Sequence, residues 1–180
     1  MDRVVGCLAR EGMLAIGSSV VLEDYDAVVP EELKRRIADP YYLCMEHCVQ
    51  SAVRRMREFW PAGERVVIVF DRQDVYRGRA ALRFEHYLKG RRYGPHIAGM
   101  GYVNSADADL SGPLGAADLV AFETAKHLHN RRYDHDRAPR VVFDRLWRES
   151  SVDAKYWDRE AFEGLIEMIA HVKPSDDPLP

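Results

Sequence analysis

Asp71 ends the apolar run RVVIVF (65–70), and Asp118 lies in the most apolar part of SGPLGAADLVAFETAKHL (111–128). At a spacing of three to four, Asp118 shares a helix face with Leu114, Gly115, Ala121, Phe122 and Ala125, the face such a helix lays on its core. A carboxylate there is costly unless it is paired, protonated or bound to a metal. Ser105, Asp107 and Asp109 follow the segment HIAGMGYVNS (96–105). Carboxylates converging on one edge suit a hard divalent cation, Mg2+ or Mn2+, which takes one or two of them together with water and substrate phosphate. Such an ion activates a water and stabilises the leaving oxygen of an in-line displacement at phosphorus. Plainer readings compete. Asp71 can cap the turn DRQD, and Asp107 and Asp109 can be solvated loop residues. For Asp118 the competitor is an ion pair with an arginine from another element.

Cations offer a second kind of chemistry. RRY occurs twice, at Arg91–Tyr93 and at Arg131–Tyr133. Arginine beside an aromatic ring suits a nucleic-acid strand, so Arg91, Arg92, Arg131 and Arg132 are candidate phosphate contacts. Both copies also follow helix C-termini, where cations complement the dipole. Cys44, His47 and Cys48 share a helix face but have no evident fourth zinc ligand, and buried cysteines beside an ordinary histidine explain them better. GxSxG, P-loop and GxGxxG patterns are absent, which leaves esterase, nucleotide-triphosphatase and dinucleotide readings without support.

The elements that would position these residues are legible from periodicity. GMLAIGSSVVLEDY (12–25) predicts a strand ending in a polar turn. YYLCMEHCVQSAVRRMREFW (41–60) carries a helical stripe through Cys44 or Met45, Cys48, Ala52, Met56 and Phe59, stopped by Pro61 and Gly63. RVVIVF reads as a strand buried on both faces. A helix follows through Tyr76, Ala80, Phe84 and Leu88, then the weaker strand at 96–105. The polar loop 106–112 leads into a helix whose first turn holds Pro113. NRRYDHDRAPR (130–140) is a loop by composition. A last helix starts from Asp158, with Trp157 and Phe162 as a hydrophobic staple and Phe162, Leu165, Ile166 and Ile169 as its stripe. Alternating strands and helices predict an α/β fold with parallel strands and helices on the sheet faces. Sites in such sheets gather beyond the carboxyl ends of the strands.

Bulk properties set the outer bounds. The 180 residues, 47% hydrophobic and 31% charged, suit one soluble domain over 1–172 with a mobile tail at 173–180. A net charge of −3 argues against a nucleic-acid coat protein but permits a local basic groove. Cys7, Cys44 and Cys48 form an odd set with no CxxC pair, which fits a reducing compartment. With no apolar run long enough for a bilayer and no signal peptide, the expectation is a cytoplasmic protein without a membrane partner.

VVIVFD (66–71), YVNS (102–105) and PLGAADLVAFE (113–123), together with MLAIGSSVVLEDYDAVV and PYYLCMEHC, resemble the prokaryotic proteins grouped as domain-of-unknown-function family 3800. The likeness covers roughly residues 10 to 130. It implies a ribonuclease-H-like mixed β-sheet flanked by helices in three α/β/α layers, and a metal-dependent nuclease-like site. Residue by residue it carries over Asp71 and Asp118, then Ser105 and Glu123. Two departures stand out. The family's opening acidic strand has no counterpart here, which leaves a two-metal site incomplete unless Asp2 or Asp24 substitutes. Gly115 also stands where the family usually has glutamine. The implied activity is metal-dependent cleavage of nucleic acid. The alternative is an inactive module of the same fold, from a shortened reading frame or a lapsed active site, that binds a protein or nucleic-acid partner.

Overall fold

The computed structural model describes residues 14–37, 39–71, 77–103, 108–149 and 151–171. Its elements, in chain order, are β1 (Leu14–Val20), α1 (Leu22–Val28), α2 (Glu31–Ile37), α3 (Pro40–Phe59), β2 (Val66–Asp71), α4 (Arg77–Lys89), a 3-10 turn (Gly94–His96), β3 (Ile97–Val103), α5 (Ala108–Tyr133), α6 (Val141–Glu149), β4 (Ser151–Trp157) and α7 (Arg159–His171). The chain is a mixed α/β protein with parallel strands, as the alternation of elements predicts. Among the described residues the strands pair as two two-stranded sheets, β1 with β4 and β2 with β3, where a single mixed sheet was expected. No described helix is long and apolar enough to cross a membrane.

Two compact units divide the chain: one runs to Met45 and resumes at Ala117, and the other is Glu46–Ala116. In the first, β1 and β4 pair without interruption from Leu14↔Ser151 to Val20↔Trp157. Alternation sends Ala15, Gly17 and Ser19 to one face, all buried. Thr124 of α5 presses on that face so closely that a Cβ on Gly17 would lie 2.8 Å from its Oγ1. On the opposite face Val20 and Trp157 pack against the cluster of Tyr25, Val29, Leu43 and Phe162. This two-stranded sheet therefore has helices on both faces, α5 on one and α1 and α7 on the other. The start of α7 follows the expected design. Asp158 accepts the Ala161 N–H at 3.1 Å, and Trp157 stacks on Phe162 with centroids 5.9 Å apart.

In the second unit Val49, Val53, Tyr87 and Ile97 form the core, with Ile68, Phe70 and Met100 packed against it. Arg83 pairs with Glu46, tying α4 to α3. The stripe of α3 runs through Met45, Val49, Val53 and Met56, while Phe59 is 64% exposed. Gly63 takes φ 102° in the turn after α3, a conformation that costs glycine little.

Several expectations need correction. LEDY (22–25) is not a turn but opens α1, with Glu23 and Asp24 in the helix's first turn. RVVIVF is not buried on both faces: Val66, Ile68 and Phe70 are half-buried, whereas Val67 and Val69 are exposed, because among the described residues this two-stranded sheet is covered on one side. NRRY (130–133) continues α5 instead of forming a loop, and α5 begins ahead of Pro113 at Ala108. Beyond Arg140 the chain forms α6 and β4, neither of which was anticipated. Val152, Ala154 and Tyr156 alternate with Asp153 and Lys155 in β4, so a period-two signal was present in the sequence.

Candidate anion-binding site

The carboxyl ends of β1 and β4 lie side by side: Val20 pairs with Trp157, and the Val21 N–H bonds the Trp157 carbonyl at 2.9 Å. Parallel strands that stop together leave a crevice there. The crevice is a cavity of about 460 Å³ lined by Val21, Leu128, Arg131, Arg132, Tyr133, His135 and Asp158. One side comes from the last turns of α5 and the loop after it, the other from the residues that follow β1 and β4. Its volume lies within the roughly 300–1,000 Å³ usual for small-molecule sites.

Arg132 is held from beneath. Its guanidinium forks onto Asp24, Nη1 to Oδ2 at 2.8 Å and Nη2 to Oδ1 at 2.9 Å, and the Arg159 N–H donates to Oδ2 at 3.0 Å. Asp24 is buried in the first turn of α1, so its charge is met by three donors, two of them a bidentate pair. Those donors occupy the carboxylate that was weighed as a substitute for the missing first aspartate. Tyr133 donates to Glu23 at 2.6 Å, which raises the phenol's pKa above its ordinary value. The residues RRY are thus pinned on α1 through Arg132 and Tyr133.

Arg131 is in a different state. It is exposed and has no hydrogen bond or ion pair among the described residues. Its field reaches His127 and Tyr156. Burial first, then Arg131, lowers the His127 pKa, while burial raises Tyr156 against the opposing pull of Arg131. His127 stacks on Phe143 at 4.1 Å, nearly parallel. Asp158 caps α7 with Oδ1 and leaves Oδ2 without a hydrogen-bond partner among the described residues. The cavity therefore presents one locked guanidinium, one unpaired guanidinium, an imidazole and one open carboxylate oxygen.

The residues singled out from sequence are divided between the two units. Asp71 is the exposed last residue of β2, in the second unit. Asp118 belongs to the first unit and is exposed on α5. Its face was expected to be the packing face; instead Val120, Glu123, Thr124 and Leu128 are buried, and Phe122 is 56% exposed. The buried face carries two polar side chains: Thr124 packs against Gly17 of β1, and Glu123 faces Arg140 just ahead of α6. Glu123 is 1% exposed, with Arg140 Nη1 3.0 Å from Oε1, and the approach is too oblique for a hydrogen bond to either oxygen. Arg91 and Arg92 are exposed in the turn after α4, Arg92 lying over the Tyr93 ring at 5.2 Å. Ser105, Asp107 and Asp2 fall outside the described residues. Among those described, no three of His, Cys, Asp and Glu gather to hold a metal ion. Burial pushes the Cys44 thiol up, partly offset by a hydrogen bond with Ser18, which suits a packed cysteine more than a thiolate ligand.

Sequence reasoning named Arg131 and Arg132 but missed Asp24 as the partner of Arg132, and missed His135 and Asp158 as cavity residues. Asp158 was visible as a helix cap; its second role depends on the pairing of β4 with β1. No family model, no curated protein and no solved structure matches this chain.

Proposed function

We propose that the chain is a nucleic-acid-binding α/β module of ribonuclease-H-like type, which takes a strand's phosphate at the carboxyl edge of β1 and β4. The observation that carries this reading is the contrast within one dipeptide: Arg132 is spent on Asp24, and Arg131 beside it lines the cavity, exposed and unpaired among the described residues. Asp24 holds Arg132 rigid and meets its charge, while an open arginine is suited to a phosphate fork. Fluorescence anisotropy with a labelled single-stranded decamer tests it. Arg131→Ala should weaken binding by about tenfold, the loss of one charged phosphate contact. Unchanged affinity in that variant, or no binding by the intact chain, rejects the reading.

A second reading keeps the metal-dependent nuclease, with Asp71 and Asp118 as ligands for Mg2+ or Mn2+. It is favoured by Asp71 standing exposed where the parallel strand β2 ends, the usual place for chemistry in such sheets. Calorimetric titration with Mn2+ on the intact chain and on Asp118→Ala tests it. Heat that vanishes in the variant supports an ion site, and an intact chain that binds no Mn2+ removes this reading.

A further inference from the structure

From the mixed lining of the β1–β4 cavity we infer that its ligand is a ribose phosphate, so that the strand it prefers is RNA and not DNA; this rests on the nucleic-acid reading above. A cavity built for phosphate alone has no use for a carboxylate, because Asp158 would repel the anion that Arg131 attracts. Yet Asp158 lines the same cavity, and only Oδ1 is engaged, by the Ala161 N–H. Its Oδ2 accepts no hydrogen bond among the described residues. The ligand that satisfies both side chains carries a negative group and a hydroxyl donor. A ribonucleotide unit does so with its phosphate and its 2′-hydroxyl.

The chemistry at each end follows from the side chains present. Arg131 donates N–H groups to phosphate oxygens, and His135, which lines the same cavity, offers an imidazole N–H as a further donor. Asp158 cannot donate while ionised, so it selects a hydroxyl over any acceptor. The 2′-hydroxyl is the group that separates RNA from DNA at a site. A deoxyribose would leave Oδ2 desolvated beside the sugar with nothing to accept, and this loss penalises DNA as the gain favours RNA. The placement also agrees with the strand ends: an acidic residue just past a parallel strand is well set to take a sugar hydroxyl.

The test compares labelled rA10 and dA10 on the intact chain and on Asp158→Asn. Asparagine keeps the helix cap, since its carbonyl accepts the Ala161 N–H as the carboxylate does, and so the variant should fold. Circular dichroism and an unchanged thermal midpoint establish that before binding is measured. The intact chain should bind rA10 about tenfold more tightly than dA10, the value of one hydrogen bond to a charged acceptor. In Asp158→Asn that ratio should fall to near one. Equal affinity for both oligonucleotides, or a preference untouched by the substitution, overturns the ribose inference alone. Failure of both oligonucleotides to bind overturns the nucleic-acid reading with it.

Discussion

Asp24 and Glu123 are both buried carboxylates facing an arginine, and they differ in how well their charge is met. Asp24 accepts a two-pronged guanidinium and a backbone N–H. Glu123 has Arg140 at 3.0 Å without a hydrogen bond to either oxygen. Removing one partner of a buried pair strands the other, and the cost scales with how enclosed the survivor is. Arg132→Ala should therefore destabilise the chain by about 2–4 kcal/mol, somewhat below the full cost of a wholly enclosed pair because Arg132 is partly in water. Glu123→Gln should lie within about 1 kcal/mol of the intact chain, because it removes a desolvated charge that gains little where it sits. Urea unfolding of the two variants decides between them. Equal losses would mean that Glu123 is as well satisfied as Asp24. At this scale the sequence showed which residue types could act and hid their partners. Arg132 and Asp24 are far apart in the chain, and only folding α1 beneath the end of α5 reveals that one arginine of the RRY pair is structural and the other open.

At the scale of elements, the decisive contact is between β1 and α5. Gly17 has no side chain because Thr124 occupies the space; a Cβ there would meet Oγ1 at 2.8 Å and Cγ2 at 3.3 Å. Thr124 is itself 2% exposed and has little room to retreat. Gly17→Ala should cost about 1–3 kcal/mol by overpacking. Thr124→Ala should recover part of that loss in the double variant, so that the two effects are not additive. Strict additivity in a denaturation cycle would show that α5 does not pack on β1 through this pair. The same contact explains what periodicity could and could not deliver. Strong local patterns found β1, α3, β2, α4, β3 and α7, because each carries its own stripe, apolar run or cap. The buried face of α5 was misassigned. Its apolar residues lie all around the helix, so the buried face, where Thr124 meets Gly17 and Glu123 faces Arg140, is decided by tertiary structure. Helix α6 and strand β4 were missed where charged residues interrupt the apolar ones, although the alternation of Val152, Ala154 and Tyr156 was there to be read.

The whole molecule is acidic, with 29 Asp and Glu against 26 Lys and Arg. A net charge of −3 repels a nucleic-acid strand at long range, so whatever attraction exists must come from a few cations placed locally. At the β1–β4 edge those are Arg131 and the Asp24-locked Arg132, with His135 alongside. Arg132 has already given its charge to Asp24 and releases few counterions on binding. The site therefore neutralises one phosphate, or two at most. For single strands the logarithm of affinity falls with the logarithm of salt by about 0.7 per phosphate neutralised, which gives an expected slope between roughly −0.7 and −1.4. Anisotropy titrations across a range of salt concentrations measure it directly. A slope steeper than about −3 would require several more cations on the strand, and Arg91 and Arg92 would be the first to substitute. A shallow slope that disappears in Arg131→Ala would place the electrostatic part of binding on that one side chain. Specificity would then have to come from contacts that release no counterions, such as a sugar hydroxyl on Asp158, and a preference between sugars that persists at high salt is what such contacts produce.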